Sequence, residues 1–452
     1  MSIAHRSVLL VIADDWSPLA GCYGSRVIQT PHIDRLARRG VVFDRAFCTT
    51  PSCAASRANL LTGLYAHTHG QYGHSHGIHG FRTHEHVRSL PRVLKDAGVR
   101  SGCVGKTHFA PLGVYPFDVF ADVQTLSARD LARGATEFLT QVGDAPFYLH
   151  VAPTYPHRHE QGFGADQCTD EFDDVTYDPA EIRVPDWLPD EPEVRQDLAN
   201  YYQAVSRYDA CVGAVLDALE SSPRAKDTLV IVTSDHGMPF PGAKASSFES
   251  GHHCPLVISA PGGAGGSHNR ALVNWTDLMP TILDWLQVPQ DRWPKQLAGR
   301  SFLSVLTEEN PAGWDETYYS HCFHEVSNYF PYRVLRGRRY KFTQNLAAEL
   351  PNPLPADLFR SPTWSAVRQR EIEMMGQRPT ARLLHRDREE LVDLDADPTE
   401  SVNLVHEAKH RQIADEMRRK LIDFRIATAD PWLEDDYQRG EITAEQHHRS
   451  RG

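Results

Sequence analysis

Short apolar runs alternate with amphipathic segments along the first two-thirds of the chain. Residues 8–13 form a continuous aliphatic run, which is typical of a strand that is buried on both faces. Similar runs predict further strands at 41–43, 100–105, 146–151, 228–233 and 254–259. The amphipathic segments predict helices at 31–40, 57–64, 89–98, 127–142, 198–220 and 277–286. This alternation predicts an α/β fold with a mostly parallel central sheet flanked by helices.

The alternation fades after about residue 311. Short runs at 332–336, 339–343 and 389–394 are typical of antiparallel strands, and a helix is expected over 405–427. We therefore predict two domains, a larger one of residues 1–311 and a smaller α+β domain of residues 312–452 with a short antiparallel sheet. The polar tail after Asp430 is expected to be loosely ordered.

Composition and charge exclude several classes of function. The chain has 452 residues and a formal net charge of −12, which argues against nucleic acid as the main partner. No stretch is long and apolar enough to span a membrane, and none has the features of a secretory leader, so we expect a cytoplasmic protein. The cysteines show no CxxC or zinc spacing and are expected to be reduced thiols. They are residues 22, 48, 53, 103, 168, 211, 254 and 322.

Charged and imidazole side chains follow four of the predicted strands. They are Asp14 and Asp15, Lys106 and His108, His157, and Asp235 with His236. Because the carboxyl ends of parallel strands meet at one edge of a sheet, we expect these residues to form one composite site. An aspartate after a strand often only caps a turn, but four such coincidences favour the composite site.

Cys53 lies among small residues at the start of a predicted helix, with Arg57 one turn along. The unpaired N–H groups and positive dipole end of that helix would favour a thiolate at Cys53 and an anionic ligand beside it. The alternative interpretation is a small buried cysteine that merely packs, as most free cysteines do.

Several motifs together resemble the formylglycine-dependent (type I) sulfatases of the alkaline-phosphatase-like superfamily. The family signature Cys-x-Pro/Ala-x-Arg matches Cys53-Ala-Ala-Ser-Arg57. Further matches are Asp14-Asp15, Gly105-Lys106-Thr-His108, Pro156-His157, Thr233-Ser-Asp235-His236-Gly237 and Lys244. A narrower likeness, to the sulfamidases (heparan N-sulfatases), extends over residues 115–118, 231–241, 280–285, 323–326 and 430–432.

The resemblance implies that a maturase oxidises Cys53 to formylglycine, whose hydrate attacks sulfur. A divalent metal would be held by Asp14, Asp15, Asp235 and His236 beside residue 53. Carboxylate oxygens favour a hard cation, most naturally Ca²⁺, with Mg²⁺ and Mn²⁺ as alternatives. The alternative for His236 is a partner of a ligand rather than a ligand itself.

The resemblance also assigns roles to the other matched residues. Arg57 and Lys106 would stabilise the nucleophile, and Lys244 would pair with sulfate oxygens. His108 would accept the proton that drives collapse of the intermediate, and His157 would protonate the leaving atom. Residues 1–311 would form the catalytic domain, and residues 312–452 would complete the substrate pocket. Substrate contacts are expected from His67, Tyr72, His79, Tyr155, His324 and Glu325.

The implied activity is hydrolysis of a sulfamate or sulfate ester on an amino sugar or another carbohydrate. One departure concerns Tyr155, which stands where sulfamidases carry an aspartate. A phosphonate monoester or phosphodiester hydrolase of the same superfamily is an alternative. An inactive anion-binding member with an unmodified Cys53 is another. A homodimer is one assembly that fits the family.

Residues 67–86 contain seven histidines. Composition alone is typical of a metal-binding tract. Because the tract follows the Cys53 helix directly and its histidines lack i, i+4 pairing, we interpret it as a loop that flanks the site.

Overall fold

An eight-stranded sheet forms the centre of the protein, as seen in a computed structural model that describes residues 6–160, 162–163, 175–263 and 265–450. Across the sheet the strands are Ser267–Asn269, Val41–Phe43, Leu256–Ser259, Thr228–Ser234, Ser7–Ala13, Phe147–Ala152, Arg100–Gly105 and Val119–Ala121. Of these strands, Leu256–Ser259 alone runs antiparallel to its neighbours. The predicted mostly parallel sheet is therefore confirmed.

The strand Ser7–Ala13 shows why residues 8–13 form one continuous apolar run in the sequence. Leu9 and Val11 pack into a hydrophobic cluster on one face of the sheet, while Val8, Leu10 and Ile12 pack into a second cluster on the other. Both faces need apolar side chains because helices cover both. The longer helices of this part are Pro31–Arg38, Cys53–Thr62, Leu90–Ala97, Ala128–Val142, Pro192–Glu220 and Leu278–Trp285.

Two helices begin earlier than the apolar pattern predicts. One begins at Cys53 rather than Arg57, directly after the extended residue Ser52. The long helix begins at Pro192, since proline is tolerated in a first helical turn, where its missing N–H has no partner to lose. The helix Leu90–Ala97 is capped by Ser89, whose hydroxyl accepts a hydrogen bond from the backbone N–H of Arg92.

A four-stranded antiparallel sheet forms the centre of the C-terminal part, as predicted. Its strands, in spatial order, are Glu316–Phe323, Tyr329–Gly337, Tyr340–Asn345 and Glu389–Asp393. The first strand escaped prediction because it buries polar residues such as Ser320 and His321 and so lacks an apolar signal. The helix Arg411–Ala427 packs on this sheet through Ala414, Met417 and Leu421.

Shorter elements complete the fold. The remaining short strands are Ala46–Phe47, His253–Cys254, Val273–Asn274, Met374–Met375 and Arg378–Pro379. The remaining α-helices are Ala66–His69, Glu249–His252, Ala356–Phe359, Pro362–Gln369, Ala381–Leu384, Leu433–Gln438 and Ala444–Arg449.

The expectation of a loosely ordered tail is wrong for the described residues after Asp430. Leu433 and Ile442 are buried against Ile422 and Ile426 of the preceding helix. Asp436 in this segment is also buried and pairs with the buried Arg425, whereas most other charged residues of the segment are exposed.

Two further findings bear on the sequence analysis. No helix in the described part of the chain is both long and apolar enough to cross a membrane. The seven cysteines in the described ranges are free thiols, and Cys168 lies outside the described residues.

Candidate active site

The polar residues that follow the central strands converge at one edge of the sheet. Strands Ser7–Ala13 and Thr228–Ser234 are parallel neighbours that end together, with Ala13 opposite Ser234. Their continuations therefore place Asp14 and Asp15 beside Asp235, and the Asp15 N–H donates to Asp235 Oδ1 at 3.0 Å.

Cys53 lies at the centre of this group and is 1% exposed. Its Sγ lies 3.2 Å from Nε2 of His236 and 3.8 Å from Oδ1 of Asp15. Burial raises the pKa of the Cys53 thiol, and the cation of Lys244 does not offset it. Loss of solvation therefore opposes the thiolate that the helix end was expected to favour.

Arg57 is fully buried one turn along the Cys53 helix. Its Nε donates to Asp235 Oδ2 at 3.0 Å, and its Nη2 lies 3.4 Å from Asp14 Oδ1. Lys106 donates to the other oxygen of Asp14. A charge without solvent must be paired, so these cations and carboxylates fix one another in place.

Asp15 is the hub for the remaining predicted side chains. Its Oδ2 lies 2.7 Å from Nδ1 of His157 and 3.0 Å from Nζ of Lys244. Lys244 also bonds Asp357 at 2.8 Å, which ties the C-terminal part of the chain to the site. Asp15 has a positive φ of 71°, a conformation disfavoured for a non-glycine residue and found mostly where surroundings enforce it.

The donor set beside Cys53 fits a divalent cation. One potential ligand atom each of Asp14, Cys53 and Asp235 lies within 4.8 Å of the others, and the same holds for Asp15, Cys53 and His236. Three carboxylates in one buried space repel one another, and burial raises the pKa of Asp235. A hard cation with oxygen ligands relieves that repulsion.

The imidazole of His236 presents one ring nitrogen to the carboxylates beside Cys53. Its Nδ1 lies 2.9 Å from the carbonyl oxygen of Gly237, so Nδ1–H donates there and Nε2 faces the carboxylates. Burial opposes charge on this imidazole, but Asp235 and Asp15 outweigh burial and raise its pKa well above the ordinary value. A bound cation would take the place of that proton.

A cavity of about 760 Å³ opens above Cys53. Lys106, His108, His157 and Lys244 line it from the larger part of the chain. The smaller part contributes His324, Glu325, Ala356, Asp357, Arg360, Ser361 and Pro362. Both parts of the chain therefore form the walls of one cavity.

His108 is held in this cavity with a positive φ of 49°. Burial and the neighbouring Lys106 hold the pKa of His108 well below its ordinary value. A neutral imidazole is the form that accepts a proton.

The predicted substrate residues fall into two groups. His324 and Glu325 line the cavity. His79 is not among the lining residues but contacts the same segment, since its Nδ1 accepts a hydrogen bond from the Val326 N–H at 3.2 Å. The others do not reach the cavity. Tyr155 is buried in the hydrophobic core with 0% exposure, because only its backbone faces the site and accepts from the Asp14 N–H.

His67 and Tyr72 are directed toward the C-terminal helices instead. His67 Nε2 lies 2.9 Å from the Thr428 hydroxyl, and the Tyr72 ring packs edge-on against Trp432 at 5.6 Å. Sequence reasoning missed Asp357, the partner of Lys244. No local signal could have found it, since it lies on a short helix far along the chain.

Comparisons with known proteins agree on one family. The sulfatase family model matches residues 6–288, and the model described as N-sulphoglucosamine sulphohydrolase, C-terminal, matches residues 243–349. The human (Homo sapiens) protein named N-sulphoglucosamine sulphohydrolase is 36% identical over an alignment of 463 residues, covering 95% of this chain and 91% of the human protein.

Solved structures confirm the alkaline-phosphatase-like fold. One, described as a complex with its substrate D-glucosamine-2-N,6-O-disulfate, has a TM-score of 0.67 at 19% identity and covers 94% of this chain and 98% of that chain. The phosphonate monoester hydrolase of Agrobacterium radiobacter has a TM-score of 0.69 at 20% identity, and the match covers 94% of this chain and 96% of that chain. Because the sulfatase family model matches more than half of this chain, the chain belongs to the sulfatase family.

Proposed function

We propose that this protein hydrolyses the sulfamate bond of an N-sulfated glucosamine at the end of a sugar chain or in a free monosaccharide. The observation that carries the proposal is the 36% identity to a human N-sulphoglucosamine sulphohydrolase across nearly the whole of both chains. The match to the C-terminal model of that enzyme class supports it, since this segment includes the cavity residues His324 and Glu325.

Two groups would supply the reactivity. Formylglycine, formed from Cys53 by a maturase, would supply the attacking hydroxyl. A divalent cation, by preference Ca²⁺, would polarise the sulfate. Asp14, Asp15, Asp235 and His236 would hold the cation beside residue 53. Lys106 and Lys244 line the same cavity. Lys106, together with Arg57, would stabilise the nucleophile, and Lys244 would bind the sulfate oxygens.

Two imidazoles would move the protons. His157 donates through Nδ1 to Asp15, which leaves its Nε2 to protonate the departing nitrogen of the sulfamate. His108, whose pKa is lowered by burial and by Lys106, would accept the proton that releases sulfate from residue 53. The cavity residue Glu325 would accept hydrogen bonds from sugar hydroxyls.

A substrate panel tests the proposal. The protein is produced with a formylglycine-generating maturase and assayed on N-sulfated and O-sulfated glucosamines, with Cys53→Ala as the inactive control. We expect release of sulfate together with a free amine from the N-sulfated sugar. Faster hydrolysis of every O-sulfated sugar would contradict the sulfamidase assignment while leaving a sulfatase.

The second candidate is a phosphonate monoester hydrolase, which the structural likeness to the Agrobacterium radiobacter enzyme brings forward. That likeness is one of fold. Paired aryl sulfate and aryl phosphonate substrates separate the two activities, and a preference for the phosphonate would overturn our proposal. A cytoplasmic location and a homodimer stay predictions from the sequence.

A further inference from the structure

Three histidines form a second group of metal-binding side chains on the wall of the cavity. One ring nitrogen each of His74, His76 and His108 lies within 4.8 Å of the other two. The ring centroids are 4.9 Å (His74–His76), 4.6 Å (His74–His108) and 5.0 Å (His76–His108) apart. We call these three residues the histidine cluster. It shares no residue with the carboxylate group around Cys53.

The histidine cluster contains a buried ring nitrogen that no protein group satisfies. Among the described residues, Nδ1 of His74 has no hydrogen-bond partner although it is buried, while Nε2 of the same ring lies 3.1 Å from Nε2 of His324. His74 as a whole is 7% exposed. Buried polar atoms without a partner are uncommon in folded proteins, and an unsatisfied imidazole nitrogen is a ready ligand.

We propose that the histidine cluster binds a transition-metal cation of the zinc class, separate from the hard cation beside Cys53. Three imidazoles with a fourth position left open are a common zinc donor set, and nitrogen donors favour Zn²⁺ over Ca²⁺. Zinc–nitrogen distances of about 2.0–2.1 Å in a tetrahedron separate the nitrogens by about 3.4 Å.

The observed geometry is close to this requirement. Nε2 of His108 lies 3.0 Å from Nδ1 of His76. His76 is exposed, so its ring can turn to widen that separation. Burial lowers the pKa of both His74 and His108, which keeps these imidazoles in the neutral form that metals require.

A zinc ion at this position would inhibit the enzyme. His108 is the proton acceptor in the proposed mechanism, and a metal on its ring nitrogen would prevent proton transfer. This inhibitory half of the inference rests on the proposed function, whereas the binding half does not. The histidine-rich tract is then more than a flanking loop, because its His74 and His76 would bind the metal together with His108, which follows a strand.

Zinc binding is measured first, without reference to activity. The Cys53→Ser protein, which lacks the competing thiol, is saturated with Ca²⁺ and titrated with Zn²⁺ by calorimetry, and with Co²⁺ by visible absorption, which reports tetrahedral coordination. We expect one site per chain, weakened at least about tenfold in His76→Gln. His86→Gln is the matched control, since His86 is exposed in the same tract and outside the cluster. Equal affinities in His76→Gln and His86→Gln would overturn the site.

Inhibition is measured second, on matured protein with intact Cys53. We expect Zn²⁺ to inhibit sulfamate hydrolysis near its dissociation constant, and His76→Gln to lose most of that inhibition while His86→Gln keeps it. Zinc that binds the cluster without inhibiting would overturn the inhibitory half. Absence of sulfamate hydrolysis at every zinc concentration would overturn the proposed function instead, and the binding result would stand by itself.

Discussion

Removal of the His157 imidazole should slow hydrolysis to an extent that depends on the leaving group of the substrate. Nδ1 of His157 is fixed by Asp15 at 2.7 Å, so the ring presents Nε2 to the cavity as a proton donor. A positioned general acid contributes about 10²–10⁴-fold, which corresponds to about 2.7–5.4 kcal/mol of barrier. A sulfamate needs this proton because an amine anion is a poor leaving group, whereas 4-nitrophenolate leaves without it.

We therefore expect His157→Ala to lower kcat/KM on N-sulfoglucosamine by about 10²–10⁴-fold and on 4-nitrophenyl sulfate by less than about tenfold. Steady-state kinetics on the two substrates measure the difference. His159→Ala is the matched control, since His159 also lines the cavity but is not hydrogen-bonded to Asp15.

A second variant separates acid catalysis from support of Asp15. In His157→Asn the side-chain amide can still donate to Asp15 but cannot release a proton. We expect this variant to remain as impaired on the sulfamate as His157→Ala. Equal losses on both substrates, or recovery of sulfamate hydrolysis in His157→Asn, would refute the acid role and leave His157 as a positioning residue.

Three further predictions concern the metal and the C-terminal part. Chelation with EGTA should abolish hydrolysis and Ca²⁺ should restore it, because the cation beside residue 53 would polarise the sulfate. Activity that survives chelation would contradict this role. Asp430→Asn should lower the free energy of unfolding by about 3–5 kcal/mol, because the substitution leaves two buried arginines underpaired. Urea unfolding measures this change. The exposed control Asp435→Asn should change the free energy of unfolding by less than about 0.5 kcal/mol. Burial alone would raise the pKa of Glu249, but Arg336 outweighs burial and lowers it to about 2. A carboxyl group whose pKa is lowered in the folded state stabilises the fold at pH values above its unfolded pKa, which is 4.5 for Glu249. For Glu249 this stabilisation is about 3 kcal/mol, and it is lost as the pH falls toward 2. The unfolding difference between wild type and Glu249→Gln should therefore shrink below pH 4.5, and a difference that is constant from pH 7 to 3 would contradict the pairing.

Much of the fold follows from the sequence because its central strands are buried on both faces. The strands that end at Ala13 and at Ser234 are buried throughout and mostly apolar, so both strands and their shared edge are predictable. The same rule brings Asp14, Asp15 and Asp235 together, since parallel neighbours end side by side.

Side chains outside that edge are less predictable, because a motif fixes position along the chain but not the direction in which a residue points. Tyr155 lies two residues before His157, yet its ring is in the core. Asp357 reaches Lys244 across 113 positions of sequence, which no local pattern encodes. Burial also opposes a thiolate at Cys53, and such loss of solvation is visible only in the folded protein.

Peptide mass spectrometry at residue 53 tests the central claim most directly. The fully active enzyme is digested, and the peptide that contains residue 53 is quantified as thiol, aldehyde and aldehyde hydrate. We predict that specific activity on N-sulfoglucosamine rises in proportion to the aldehyde and hydrate fraction, and that protein expressed without a maturase has neither. Fully active enzyme with an unmodified thiol at residue 53 would contradict the account.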